Sequence, residues 1–409
     1  MVRFRYSTEE DGSLIKKAAV YTQVEHKINF SDVDSQAVYI IEQLQTNGYE
    51  TYIVGGAVRD LILGKKPKDF DIVTSANPGR IKKIFRNARI IGRRFRLVHV
   101  YFGPKIFEVS TFRSIKDGPT SNTFGTIEED VKRRDFSLNA IFYDPIKQLV
   151  IDYVGGMKDI RKRVIRPVIA LPHIFIDDPV RMIRAVKYAA ISGFKLPFTV
   201  KLKIKKHSGL LAGVSPSRLT EEIFKIINSP CALEIVKGLD EMKIYTYLQP
   251  RAAELFKIKK GFKVKYFETM GKPRLEDISD LNENTLTALI RDYLEDNVNW
   301  EDGRGKEVEL YKTVFSLARQ FVLPMNPPRL ELEKAIRFIL AGHGLQLKKT
   351  RAGELKTRTL RAPKKETPGA KPTRDEKKSE TIPVDEAKKP LRKRKRRKKH
   401  GTGEKPATE

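Results

Sequence analysis

The period of the apolar positions changes repeatedly over the first 170 residues. Ala37, Ile40, Ile41 and Leu44 recur at three- and four-residue spacing within residues 31 to 48, and Asn47-Gly48 closes the run, which predicts an amphipathic helix. "YETYIVGG" reads as a strand running into a glycine pair, and "AVRDLILG" restarts as a short helix. "FDIVTSAN" is a second strand, closed by Asn77-Pro78, and "PGRIKKIF" is helical. "RLVHVYFG" and "KIFEVSTF" read as two strands about a Gly103-Pro104 turn, a hairpin signal. Alternating strands and helices predict an α/β or α+β domain.

From about residue 177 the pattern becomes helical. "DPVRMIRAVKYAAISGF" carries Val180, Ile183, Val186 and Ala190 on one side, and Ser215-Pro216 starts a helix with Leu219, Ile223, Ile226 and Ile227 on one face. The chain stays mostly helical to about residue 345, with loops expected near 258–276 and 300–306, and no internal repeat. The stretch from about Leu347 is polar and proline-containing, and "RKRKRRKKH" from Arg392 to His400 is an unbroken cationic block. Such a segment buries too little apolar surface to offset the entropy of ordering, so disorder is expected.

Charge changes the picture more than length does. The 409 residues include 80 Lys+Arg against 51 Asp+Glu, a net charge of +29, which points to a polyanionic partner, nucleic acid first. The single cysteine, Cys231, excludes a disulfide framework or cysteine-rich zinc site, and suggests a reducing, cytoplasmic setting. The six histidines show no metal-ligand spacing. The amino terminus has no apolar signal-like run, no stretch is long and apolar enough to span a bilayer, and the basic block lacks an apolar anchor. A soluble protein without a membrane partner is expected.

Against this basic background, "KPKDFDIVT" holds Asp69 and Asp71 at i and i+2. On one strand they would share a face, and two carboxylates held close need a cation. Magnesium, bound by a few carboxylates together with phosphate oxygens, suits that pattern; an exposed acidic loop is the plainer alternative. Just upstream, Gly55-Gly56 ends a strand and opens a helix, a turn whose free N–H groups can receive phosphate. Arg59 adds a cation there, or pairs with Asp60. Glu108, on the face of Ile106 and Ser110, would join the aspartates if its strand lies beside theirs; otherwise it is a solvated edge residue. "EEDVKRRDFSLNA" crowds Asp130, Arg133, Arg134, Asp135 and Asn139 into ten positions, a mixture suited to ribose and triphosphate or to a solvated helix face. In "DDPVRMIR", Asp178 with Arg181 and Arg184 can read the edge of a base, or simply cap and decorate a helix. Arg93, Arg94 and Arg96 around Phe95 fit RNA or triphosphate.

"VGGAVRD", "KDFDIVT", "RRDFSLNA", "DDPVRMIRA" and "SPSRLTEE", in this order over residues 50 to 230, resemble the successive motifs of the class II nucleotidyltransferase family, which contains bacterial poly(A) polymerases and tRNA CCA-adding enzymes. The resemblance implies an α+β nucleotidyltransferase head with a small mixed β-sheet, followed by an all-α neck and body and the disordered basic tail. The implied boundaries are an extension at 1–30, the catalytic head at 31–170, a base-recognising neck at 171–230, an RNA-binding body at 231–345 and the tail at 346–409. It also implies that Asp69 and Asp71 hold two Mg²⁺ ions and that Gly56 and Arg59 meet the nucleotide phosphates. Asp135, Arg134 and Asn139 would lie at the ribose or catalytic centre, and Asp178 and Arg181 would select the base. Either Glu108 or Asp135 is the third acid. One departure is Asp177-Asp178 where the family has Glu-Asp.

"IIGRRFRLVHVYFG" and the basic tail are similar to the polyadenylating branch of the family, so the expectation is template-independent transfer of AMP from ATP to RNA 3′ ends. A CCA-adding enzyme and a non-catalytic RNA-binding protein are the alternatives.

Overall fold

The computed structural model describes residues 3–8, 14–92, 97–114, 123–272 and 281–345. The Arg93–Arg96 cluster and the tail lie outside them.

The amino-terminal part is built on a sheet of β1 (Arg3–Thr8), β2 (Leu14–Tyr21), β3 (Thr51–Val54), β4 (Asp71–Thr74), β5 (Ala88–Ile91), β6 (Leu97–Phe102), β7 (Lys105–Thr111), β8 (Ile141–Asp144) and β9 (Leu149–Asp152). Their order is β1-β2-β9-β8-β3-β4-β7-β6-β5. Only β4 and β7 run parallel, with Ile72 opposite Val109 and Val73 opposite Ser110. The sheet is therefore mixed, and the predicted β6–β7 hairpin is present. β2 pairs with β9, so residues 14–21 belong to the same sheet although the sequence pattern sets 1–30 apart.

Alternation assigns the faces. Ile53, Ile72 and Val109 point into a core that takes in Ile40, Ile41 and Leu44 of the helix Ser35–Thr46 and continues through the carboxy-terminal helices. That helix is started by Asp34, whose side chain accepts from the Gln36 N–H at 2.8 Å. On the other face, Tyr52, Val54, Val73 and Phe142 pack against Ile127 and Val131 of the helix Ile127–Lys132. Two residues before Val73, Asp71 shares this second face, where the smaller apolar cluster gives way to polar groups.

The sequence puts Asp69 on the strand with Asp71, but β4 begins at Asp71. Its neighbour β3 ends opposite it, at Val54, because Gly55 turns the chain away at φ +79°. Asp69 and Phe70 thus lie before the β3–β4 pairing begins. The loop expected near 258–276 is instead a helix, Lys260–Gly271, over most of its described length. Phe262, Tyr266 and Met270 are buried at four-residue spacing, a signal masked in the sequence by lysines, Val264 and Phe267 on the remaining faces.

His26 is buried beside β9 and locked in one tautomer. Its Nδ1 accepts from the Ile28 N–H at 3.0 Å, so its Nε2 carries the proton given to the Gln148 carbonyl at 3.1 Å. Burial pushes its pKa down, against the pull of the Gln148 contact and Glu25. A histidine with a lowered folded pKa is neutral at no cost above its unfolded value, about 6.5, and costs stability as pH falls through that value. The melting temperature of the wild type is expected to fall between pH 7.5 and 5.5 by more than that of His26→Gln. Equal slopes in thermal melts would refute this account.

Candidate active site

A cleft of about 630 Å³ opens where the second sheet face meets the neck helices. One wall holds Gly55, Gly56, Asp71 and Ser110 from the strand ends; another holds Arg113, Asp130, Arg133, Arg134, Asp135 and Asn139. The helix Val180–Ser192 contributes Arg181, Arg184 and Tyr188, with Asp177 and Asp178 just before it, and the helix Pro216–Ile227 contributes Arg218. A second cavity of about 480 Å³ shares Asp71, Arg184, Tyr188 and Arg218 with the first and adds Glu108, Lys187, Glu222 and Lys225. Asp71 thus stands on the partition between the two.

The glycine pair sets that partition. Gly55 precedes the helix Gly56–Ile62 with positive φ, a conformation most side chains resist, and a Cβ on it would come 3.5 Å from Asp71 Oδ2. The backbone therefore approaches the Asp71 carboxylate closely.

Glu108 lies on β7 directly beside β4, on the face of Ser110, as its position in the sequence allowed. Among the described residues its one ion-pair contact is His99, at 3.6 Å. The carboxylates of Asp69 and Asp71 make no hydrogen bond or ion pair with any described residue. Burial raises the pKa of Asp71, and Glu108 and Asp69 raise it further, against Arg134 and Lys225. No three His, Cys, Asp or Glu side chains among the described residues are already gathered as a metal cluster. The acids are brought to one edge without being closed into a cage.

Asp135 sits elsewhere. It is buried, its Oδ1 accepts from the Phe136 N–H at 2.7 Å and, at 3.5 Å, from the Asn139 amide, and its Oδ2 lies 2.9 Å from Arg184 Nη2 without hydrogen-bond alignment. Arg184 also donates to the Tyr188 hydroxyl at 2.9 Å. Desolvation pushes the Arg184 pKa down, but Asp135 and Tyr188 together lift it above the usual arginine range. Burial beside Asp135 moves the Tyr188 hydroxyl up to about 12.

Arg59, which the sequence left between phosphate and Asp60, takes Asp60: its Nε donates to Oδ1 at 2.8 Å and its Nη2 to Oδ2 at 2.9 Å. It is buried behind the cleft wall, and its Nη1 donates to the Asn139 side-chain oxygen at 3.3 Å. Arg134 is clamped by Asp130 through two bonds of 2.7 and 3.0 Å and lies over the Phe142 ring.

The Asp178–Arg181 pair is not formed. Arg181 is buried and donates to the carbonyls of Ile174 and Arg133 at 3.3 and 3.4 Å. Asp178 receives Arg218 Nη2 on both oxygens at 3.0 Å. Helical spacing alone put Asp178 near Arg181; a carboxylate that caps its own helix, at Val180 N–H, turns back and meets the neighbouring helix. Arg133 lines the cleft with Arg134, as the sequence segment suggests, whereas Arg218, Arg113 and Tyr188 have no role in the sequence reading. Tyr188 has a readable signal, four residues from Arg184, and Arg218 stands inside the motif "SPSRLTEE"; Arg113 comes from a separate element and has none.

The arginines crowd one another. Burial lowers the pKa of Arg133, and Arg113, Arg181 and Arg134 lower it further against Asp130. Burial likewise lowers Arg113 and Arg181. Guanidinium groups held this densely favour an anion between them.

Residues 51–166 match the family described as poly A polymerase head domain, and residues 193–256 match one described as probable RNA and SrmB-binding site of polymerase A. The chain is 41% identical over 256 residues to poly(A) polymerase I of Escherichia coli O157:H7, covering 59% of this chain and 55% of the relative. It is 42% identical over 225 residues to the CCA-adding enzyme of Geobacillus thermodenitrificans, covering 54% and 55%. The chain spans about half the length of the curated relatives it matches. Its fold is similar to the CCA-adding enzyme of Bacillus stearothermophilus in complex with CTP, with TM-score 0.51 and 29% identity over 75% of this chain and 82% of that one.

Proposed function

We propose, on the premise that this chain belongs through its head domain to the nucleotidyltransferase family of poly(A) polymerases and CCA-adding enzymes, that it extends RNA 3′ ends with AMP from ATP. In this transfer the RNA 3′-oxygen bonds to the α-phosphorus and pyrophosphate leaves. The observation that carries the reading is one partition residue, Asp71, with acids on its strand edge and arginines across the cleft.

The donor set fits magnesium. Among the described residues Asp69 and Asp71 make no ion pair, and Asp71 shares its edge with Glu108, so the like charges suit a hard cation. Asp69 and Asp71 would hold two Mg²⁺ ions, with Glu108 as the third acid. Bound there, the ions would activate the attacking hydroxyl and offset charge on the leaving pyrophosphate.

The chain's own groups do the rest. Arg113, Arg133 and Arg134 receive the triphosphate. Asn139, held by Arg59, and Gly55-Gly56 border the sugar and phosphates. Asp178, oriented by Arg218, and Arg181 meet the base. Arg184 stays with Asp135 and Tyr188 and stiffens the wall between the cavities. Helices 193–256 and the basic tail grip RNA, and the cytoplasm is the proposed setting. Among the described residues no helix is long and apolar enough to cross a membrane.

ATP and CTP supplied separately, with unstructured RNA and with tRNA lacking its terminal CCA, test the reading. ATP incorporation on both acceptors, with CTP at least tenfold slower, is the expected result. Efficient CTP incorporation into the tRNA would replace it with the CCA-adding reading, which the similarity to a CTP-bound CCA-adding enzyme keeps in play.

A further inference from the structure

Away from the cleft, the helical body carries a run free of acids. Between Glu254 and Glu268 the chain places Lys257, Lys259, Lys260, Lys263 and Lys265. The first three are exposed at the corner between the helices Pro250–Ile258 and Lys260–Gly271. None of these three ammonium groups makes a hydrogen bond or ion pair with another described residue.

The helix Lys260–Gly271 extends this corner into a stripe. Lys260, Lys263 and Phe267 follow at i, i+3 and i+7, which is one helix face. The half-buried Phe267 ring has the Lys263 ammonium 5.4 Å from its centroid and, from the helix Ala232–Glu241, the Lys237 ammonium at 5.8 Å. Lys263 is partly neutralised by Asp240 at 2.7 Å; Lys237 is exposed. Cations around an aromatic ring suit a single-stranded polyanion whose bases can stack.

Position supplies the partner. The helix Ala232–Glu241 packs against both the Arg181 helix and Lys260–Gly271. Gly238 makes the first contact close, since a Cβ there would stand 2.8 Å from Val186 Cγ1. At most two helix spacings, roughly 16–20 Å, therefore separate the cleft helix from the helix that carries the lysine stripe. A strand whose 3′ end occupies the cleft can reach it after a few nucleotides.

We propose that Lys257, Lys259 and Lys260 at the corner, continued by Lys237 and the Phe267 ring beside it, form a docking track for single-stranded RNA upstream of the 3′ end. The inference rests on the functional reading above and extends it from Lys237, inside the second matched segment, to residues past its end. The track holds phosphates by charge and accepts a base on the ring, so it tethers long acceptors and is not reached by short ones.

The test uses the full chain with the triple variant Lys257→Glu/Lys259→Glu/Lys260→Glu, and Phe267→Leu separately. The triple variant should raise the Kd for a long oligoadenylate at least about tenfold. It should also flatten the log Kd–log salt slope by about 2, at about 0.7 for each phosphate no longer neutralised. Transfer to a trinucleotide primer and the melting temperature should stay unchanged. Phe267→Leu should raise the Kd about fivefold with the slope kept. Unchanged affinity and slope in the triple variant would overturn the proposal, as would loss of binding to phosphatidylglycerol vesicles with RNA affinity intact. A wild-type protein without transfer activity would defeat the functional reading, while the RNA-affinity comparison would still decide this one.

Discussion

Asp71→Asn is expected to lower kcat at least about a thousandfold while raising the melting temperature. The first effect is a loss of about 4 kcal/mol of stabilisation for developing phosphate charge, within the several kcal/mol a bound cation supplies. The second follows from the carboxylate's surroundings. Burial, Glu108 and Asp69 hold the Asp71 pKa above its ordinary value. An acid with a raised folded pKa contributes stability when protonated, fully so below its unfolded pKa, and that contribution is lost as pH rises through the folded pKa. Above its unfolded pKa the Asp71 carboxyl therefore destabilises the fold, and a neutral isostere relieves it. Magnesium should raise the melting temperature of the wild type and do so less in the variant. Calorimetry with and without Mg²⁺, beside single-turnover kinetics, reads both effects; a variant that is less stable and still active would refute the site.

Glu108→Gln and Asp135→Asn are expected to fail in different ways. Glu108 is exposed on the strand beside Asp71, and its charge raises the Asp71 pKa. Its amide should lower kcat about a hundredfold, roughly 2.7 kcal/mol, with no loss of stability. Asp135 is buried against Arg184, so its amide leaves a cation without its counter-charge. Breaking a buried pair in this way usually costs about 3–5 kcal/mol. The Arg184 side chain keeps 37% exposure, so water recovers part of that and about 2–3 kcal/mol is expected here. The melting temperature should drop by roughly 3–5 °C. Arg184, released from Asp135, would also disturb the cleft wall and raise KM for ATP more than it lowers kcat. If instead Asp135→Asn kept its stability and lost kcat while Glu108→Gln stayed active, Asp135 would be the third acid.

The elements that could be read from sequence were those whose signal is local. The helices Ser35–Thr46 and Pro216–Ile227 each bury the residues their spacing picked out, because a 3.6-residue period states which face goes inward. The β6–β7 hairpin was local too, closed by Gly103-Pro104. β1, β2, β5, β8 and β9 escaped because a strand is defined by its partner, and β2 finds β9 some 130 residues away. The lysine-rich helix Lys260–Gly271 escaped because its apolar face is outnumbered.

The site divides along the same line. The sequence alone determined the residue types and their order: a glycine turn, two aspartates two residues apart, an arginine-rich segment and an Asp–Arg helix start. Those follow from the chemistry of phosphate and metal, which is stated in side chains. Only the tertiary structure decided who meets whom. Parallel pairing of β4 with β7 puts Glu108 beside Asp71; helix packing gives Asp178 to Arg218 and Asp135 to Arg184. Partners across elements depend on register and packing, and a charge in a buried cleft takes whichever counter-charge the backbone brings within reach.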